Sequence, residues 1–353
     1  MNTAPAPNPD PVSEGIAAFL RQHGVTGEVQ LLPLPGGANN RVYRVPRPGG
    51  DWVLKCYFQS PYDRRDRFGA ERAFYEWLSA RGIRRTPEPL AWCPARRLGL
   101  FTWVPGRKLH PEEVNAARVQ EALDFVGELN LSRDLPAAQV MSIASEACFS
   151  LSEHLACVDR RLARLQQIPA PDPVDQQAAN FIDKELGPTW QRLRAAICES
   201  AAKSGSRLDT PLAQAARCLS PSDFGFHNAM LAPDGWLRFF DFEYAGWDDP
   251  AKLVCDFFCQ PELPAGHDQW PTFLDQLGVR LNADAGLPVR ARLLWPAYQI
   301  KWCGIMLNEF VRREQTRRTF AAGASLSADR KAAQLAKARK GLAKAVELWP
   351  GAA

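Results

Sequence analysis

No apolar run in this chain approaches the ~20 residues needed to span a bilayer, so no membrane-spanning segment is expected. No charged-then-apolar leader opens it, so no signal peptide is read. The nine cysteines form no Cys-x-x-Cys pair. Cys255 and Cys259 stand four apart, but no His or Cys cluster nearby completes a zinc site. Scattered thiols of this kind fit a reduced, cytoplasmic core rather than a disulfide scaffold. Charge of one sign is scarce too: 43 Lys and Arg stand against 39 Asp and Glu, a formal net charge of +4. So small a surplus, gathered toward the C-terminus, gives no case for a nucleic-acid partner. No internal repeat is seen, which removes solenoids and propellers. What is present is ordinary for a globular chain: 46% apolar and 23% charged residues over 353 positions, enough for two lobes, each with its own core.

Residues 1–12, rich in Pro and Asn, read as a loose tail. Ser13-Glu14 opens an amphipathic helix that runs to about Gln22, with Gly24 ending it. Residues 28–34, 41–45 and 52–57 alternate like strands, with the turn-rich stretch Pro35-Gly36-Gly37-Ala38-Asn39-Asn40 between the first two. Gly36 and Gly37 let backbone amides approach phosphate without a Cβ in the way, although two glycines can also be no more than a turn. Lys55 lies inside the apolar strand Trp52-Val53-Leu54-Lys55. Burial there is costly unless the ammonium meets an anion; the bland alternative is an edge-strand Lys that snorkels to water. A helix over 61–81 and strands over 88–93 and 97–103 follow. Val104-Pro105-Gly106 then breaks the pattern. Beyond it the chain reads as mostly helical: 111–131, 145–167, 175–203 with a break at Gly187-Pro188, 250–260, 270–277, 289–313 and 328–348.

One stretch organises the rest. Ser220-Pro221-Ser222-Asp223-Phe224-Gly225-Phe226-His227-Asn228 is followed by a turn, a short apolar segment and Asp241-Phe242-Glu243. Phosphoryl transfer needs such a set. One carboxylate orients the attacking hydroxyl and accepts its proton, while an amide oxygen and a second carboxylate hold Mg²⁺ on the phosphates. The Asp-x₄-Asn spacing of Asp223 and Asn228, the strand end at Asp241, and the run Tyr244-Ala245-Gly246-Trp247-Asp248-Asp249-Pro250 resemble the aminoglycoside phosphotransferase and choline kinase family. The resemblance covers about residues 25 to 310. Two departures stand out. The family usually has His-Gly where this chain has Pro221-Ser222. Glu243 replaces the Gly of protein kinases, as in choline kinases.

The resemblance implies an α+β, protein-kinase-like bilobal fold. A small antiparallel-sheet N-lobe would span 13–105, and a larger, mainly helical C-lobe 106–353. It implies ATP under Gly36, Gly37 and Asn39, with adenine bonded near Thr102 to Val104. Lys55 would bind the phosphates and be held by a helix carboxylate, Glu71, with Glu76 as the rival. Asp223 is the implied catalytic residue. Asn228 and Asp241 are the implied Mg²⁺ ligands, with Glu243 in water-mediated support. Asp256 resembles the family's buried Asp that anchors the catalytic-loop backbone; an exposed helix Asp is the alternative.

The partners so implied are a nucleotide and a small-molecule hydroxyl acceptor. A basic helical region after residue 265 does not suit a cationic antibiotic, so a sugar or sugar-like alcohol comes first and choline or ethanolamine second. Trp295, Tyr298, Trp302 and Met306 share a helix face that could cage a quaternary ammonium or simply fill a core. A nucleotide-binding scaffold without turnover stays open because of Pro221-Ser222; the joint presence of Lys55, Asp223, Asn228 and Asp241 opposes it. A purely structural helical protein would leave the carboxylates beside apolar strands unexplained.

Overall fold

A computed structural model describes residues 13–34, 40–59, 65–166, 168, 171–311 and 328–347. Ser13 caps helix α1 (Glu14–Gln22), its hydroxyl accepting the Ile16 N–H. Strands β1 (Leu32–Pro33), β2 (Arg41–Val45) and β3 (Trp52–Cys56), helix α2 (Arg67–Ala80), and strands β4 (Pro89–Cys93) and β5 (Leu98–Thr102) follow. The five strands form one antiparallel sheet in the order β1-β2-β3-β5-β4. Alternation sorts their side chains. Tyr43, Val45, Leu54, Leu98 and Leu100 pack on Phe19 and Leu20 of α1. Val53 and Phe101 join Phe74 and Tyr75 of α2 on the other side. Lys55, two residues from Val53, therefore shares the α2 face.

The expected first strand, 28–34, shrinks to two paired residues. Leu32 pairs with Arg44, so a strand beginning earlier would run opposite Pro46, which has no N–H to offer the ladder. The helix expected over 61–81 begins at Arg67, because Asp66 caps it through the Gly69 N–H at 3.2 Å; residues 61–64 lie outside the described residues.

The remaining elements are α3 (Ala116–Asn130), α4 (Pro136–Gln139), α5 (Leu151–Leu165), α6 (Pro173–Phe181), α7 (Gly187–Lys203), β6 (Cys218–Ser220), β7 (Ala229–Leu231), β8 (Leu237–Phe239), β9 (Gly246–Asp248), α8 (Pro250–Cys259), α9 (Trp270–Arg280) and α10 (Leu287–Met306), then a final helix, Ala328–Glu347. Asn115 caps α3 through the Ala117 and Arg118 N–H groups, so the helix starts later than Pro111. The break expected at Gly187-Pro188 is a widened turn, not a stop. The Gly187 N–H reaches back five residues to Ile182 O, which makes room for a proline ring that would crowd a normal turn.

Two short antiparallel ladders, β6 with β9 and β7 with β8, hold the stretch around Asp223 and Asp241. Beneath them every residue of α8 is buried, so its Lys252 and Asp256 must find partners inside the protein. On α10, Trp295 packs on Trp270 with ring centres 4.3 Å apart, Tyr298 bonds His154 at 2.8 Å, and Met306 is buried. That part of the aromatic face is core. Trp302, half-buried, donates its indole N–H to Asp256 at 3.0 Å. No helix among the described residues is long and apolar enough to cross a membrane.

Phe242 joins the sheet side to the helical side. Its ring lies 4.8 Å from Phe74, 5.1 Å from Tyr75 and 6.1 Å from Phe125. Phe242→Ala should cost about 3–5 kcal/mol through lost burial and the cavity left behind. A urea titration unchanged from wild type would contradict this packing.

Candidate active site

A charge placed in an apolar strand organises the site. Lys55 is 7% exposed. Its ammonium meets Glu71 Oε2 at 2.7 Å and Asp241 Oδ1 at 2.6 Å. Glu71 lies on the buried face of α2 with Phe68, Phe74, Tyr75 and Leu78. Glu76 faces solvent and pairs with Arg72 at 3.3 Å. Between the two rivals, Glu71 is the residue that reaches Lys55, and its other oxygen accepts the Phe242 N–H at 3.0 Å. Burial alone would push the Lys55 ammonium down; the carboxylates of Asp241, Glu71 and Glu243 outweigh it and hold the pKa above the usual lysine range.

Asp241 adopts a left-handed φ of 69°, a conformation Asp tolerates better than most residues. The turn sends its carboxylate toward Lys55 and the next ring, Phe242, into the core. The Phe240 N–H donates to Asn228 O at 3.1 Å, tying the Asp241 segment to the Asp223 loop. Asn228 donates its side-chain N–H to Asp223 O at 2.9 Å, so Oδ1 is the end of its amide suited to a cation. No three His, Cys, Asp or Glu side chains form a metal cage among the described residues. An Asn–Asp pair nonetheless suits Mg²⁺, which takes hard oxygens and keeps waters and substrate phosphates as its other ligands. The Glu243 carboxylate is buried, accepts the Asn40 side-chain N–H and lies 3.9 Å from Arg67 Nε. It braces the strand that follows Asn40.

The Asp223 carboxylate keeps a third of its surface open to solvent and takes a hydrogen bond from His227 Nε2 at 3.2 Å. Burial pushes its carboxyl up; the His227 bond and the nearby charges of Lys301 and Lys252 outweigh that and hold it below the usual aspartate range. Ser222, just before it, has a left-handed φ of 68°. That explains one departure from the family pattern, since Gly is the residue for which this conformation is free of strain. Here the strain is offset by bonds: the Ser222 N–H donates to Ser220 Oγ at 3.0 Å, and Lys252 donates to Ser222 Oγ at 3.3 Å. The Ser222 hydroxyl also reaches Ser145 O at 3.5 Å. The following Glu146 takes Arg161 Nη2 on both oxygens at 2.6 Å.

Asp256 does not anchor the loop backbone, contrary to expectation. Its carboxylate accepts Lys301 Nζ at 2.8 and 3.0 Å and lies 3.2 Å from Lys252 Nζ, which is also bonded to Asp248 at 2.6 Å. Two buried cations facing two buried carboxylates explain why it turns away: Asp256 is a counter-charge, and it reaches the loop only through Lys252 and Ser222.

At the end of β5 the Thr102 N–H is taken by Glu88 O at 2.9 Å and the Trp103 N–H by Asp51 O at 3.2 Å. Val104 is half-buried in the coil that follows. Gly106 then passes so close to β7 that a Cβ would sit 2.5 Å from Leu231 O. Gly36, Gly37 and Asn39 lie outside the described residues.

Three residues at the site are not among those the sequence pattern singles out for a role. Asn40 links Glu243 to the Phe58 N–H, which it accepts at 3.0 Å. Lys108 donates to His227 O at 2.5 Å and lies 4.5 Å from the centre of the Phe240 ring. Although Lys108 is exposed overall, crowding around its ammonium pushes the pKa down to about 8, against the pull of Asp241. The third is His227. Only its place beside Asn228 could have drawn notice.

The phosphotransferase enzyme family profile matches residues 30–294. No curated protein matches the chain. Among solved structures, choline kinase LicA from Streptococcus pneumoniae is similar at a TM-score of 0.58 and 13% identity, over 94% of this chain and 98% of that one. Spectinomycin phosphotransferase, solved with ADP and spectinomycin, gives 0.61 at 10% identity over 95% and 98%. Amicoumacin kinase, solved with AMP-PNP, Ca²⁺ and Ami, gives 0.54 at 16% identity over 94% of each chain. These likenesses show a shared protein-kinase-like fold.

The Ser222 backbone makes a direct prediction. Ser222→Gly should stay within about 1 kcal/mol of wild-type stability, since relieved strain offsets the lost hydroxyl bond. Ser222→Val should cost about 1–3 kcal/mol, because a β-branched side chain fits the left-handed region poorly. Equal urea midpoints for the two variants would rule out the left-handed loop.

Proposed function

The chain belongs to the phosphotransferase enzyme family and is a small-molecule kinase; we propose that it uses ATP and Mg²⁺ to phosphorylate a hydroxyl of a sugar or sugar-like alcohol. The observation that carries this reading is the gathering of Lys55, Glu71 and Asp241 on one side and Asp223 and Asn228 on the other, joined by the Phe240–Asn228 backbone bond.

The residues divide the work. Lys55, held charged by Glu71, exchanges its Asp241 partner for phosphate oxygens when nucleotide enters. Gly36, Gly37 and Asn39 would cover those phosphates. With the Thr102 and Trp103 N–H groups already taken, the Val104 N–H is the one left to donate to an adenine ring nitrogen, and the carbonyls from Thr102 to Val104 would accept from its amino group. Mg²⁺ held by Asn228 Oδ1 and Asp241 would supply charge neutralisation on the phosphates. Asp223, ionised and a third open to solvent, accepts a hydrogen bond from the acceptor hydroxyl and aligns it for in-line attack. A bond forms between that oxygen and the γ-phosphorus, the bond to the ADP oxygen breaks, and the hydroxyl proton passes to Asp223. Little covalent chemistry is asked of the protein, so positioning and charge carry the rate.

For the acceptor, Lys252 and Lys301 are matched by Asp248 and Asp256, so the buried patch beside Asp223 offers no net negative charge to attract a polycation, which suits a neutral, hydroxyl-rich molecule. Burial of Trp295, Tyr298 and Met306 removes most of the aromatic face on which a choline cage would rely.

ADP release should be measured with Mg-ATP and a panel of sugars, amino alcohols and aminoglycosides. Asp223→Asn should keep nucleotide binding and lose about 10²–10⁴-fold in turnover. Turnover equal to wild type would remove Asp223 from the mechanism. Lys55→Met should abolish nucleotide-induced thermal stabilisation. Nucleotide stabilisation of the wild type with no ADP release from any acceptor would favour a binding module without turnover.

A further inference from the structure

We propose that His227 is a positioning residue for Asp223, fixing which carboxylate oxygen faces the acceptor; this rests on the phosphotransfer reading above. A carboxylate only accepts, so the 3.2 Å contact between His227 Nε2 and Asp223 Oδ1 makes the imidazole the donor through Nε2–H. Oδ1 is thereby occupied, and Oδ2 is the oxygen left for the acceptor hydroxyl. Asn228, the next residue, grips the same Asp223 through its carbonyl at 2.9 Å. One short turn, Phe226–Asn228, therefore holds Asp223 at both side chain and backbone.

The ring itself is held in place. A Cβ on Gly225 would come within 2.8 Å of His227 Nδ1 and 3.0 Å of Cε1, so the loop carries glycine where the ring lies against it. Lys108 takes the His227 carbonyl at 2.5 Å, fixing the backbone from the other side. Among the described residues, His227 Nδ1 is buried with no hydrogen-bond partner. The ring thus presents Nε2, and not Nδ1, to Asp223. The family pattern places its histidine two residues before the catalytic Asp; here Pro221 stands there, and the imidazole approaches from four residues after it.

Two measurements test this. In the first, kcat and KM are measured with Mg-ATP and D-glucose, ethanolamine or spectinomycin as acceptor. His227→Leu should lower kcat by about 10–100-fold with KM for ATP unchanged, the size expected for a misplaced catalytic group. His227→Gln, whose amide nitrogen stands where Nε2 stands, should recover most of that loss. Equal impairment by Leu and Gln, or full activity in the Leu variant, would overturn the proposal. In the second, ¹⁵N-histidine NMR of the full chain should show His227 protonated on Nε2 alone, and Asp223→Ala should abolish that preference. A wild-type ring protonated on Nδ1, or averaging between the two forms, would overturn it as well. The NMR result needs no turnover. A wild type that phosphorylates none of the acceptors would count against the phosphotransfer reading, and the ring's protonation would still decide the role of His227.

Discussion

The cost of burying one ammonium shapes this molecule. Lys55 lies within β3, one residue from its end, on the face that packs toward α2, and water does not reach it freely. Its charge requires an anion on each side. Glu71 supplies one from α2, and Asp241 supplies the other from beyond β8. The sheet, the helix and the loop region are thus joined through one side chain. Because Glu71 also accepts the Phe242 N–H, the same carboxylate fixes where Phe242 enters the core. Of the two carboxylates that satisfy the buried cation, Asp241 is a third exposed and Glu71 is closed to water, so the two contacts differ in how easily solvent reaches them.

Much of this was legible because it is local. Alternation marks β2 and β3, and periodicity marks α3, α8 and α10. The spacing of Asp223 and Asn228 is set by a single turn. Where the reading left a choice, tertiary burial made it: Glu71 and Glu76 differ in which face of α2 they occupy, and five residues of separation put one inside and one outside. The misreadings share a cause. Asp256 finds Lys301 forty-five positions along the chain, a pairing no local pattern announces. The first strand is shortened by Pro46, which stands just past the end of the neighbouring strand and not in the segment itself. Lys108 and His227 meet across 119 positions. Each of these depends on distant segments arriving together, which composition and spacing do not encode.

The departure from the family pattern before Asp223 illustrates the difference between a residue and the conformation it serves. The loop needs a left-handed residue there, and glycine provides it without strain. Ser222 adopts the same backbone and adds a hydroxyl, which Lys252 engages. The loop shape survives while its anchorage shifts from backbone freedom to a side-chain bond with α8.

That anchorage has a consequence for sequence drift. Lys252 and Lys301 face Asp248 and Asp256 in a patch that is neutral by count and closed to water. Any single replacement there that removes a charge leaves its partner uncompensated beneath the Asp223 loop, so such changes can be made only in concert. The support beneath Asp223 is therefore resistant to gradual change. Descendants of this chain, or an engineer retargeting it, would find more freedom toward the surface, where Glu146 keeps a third of its side chain open while its partner Arg161 is buried.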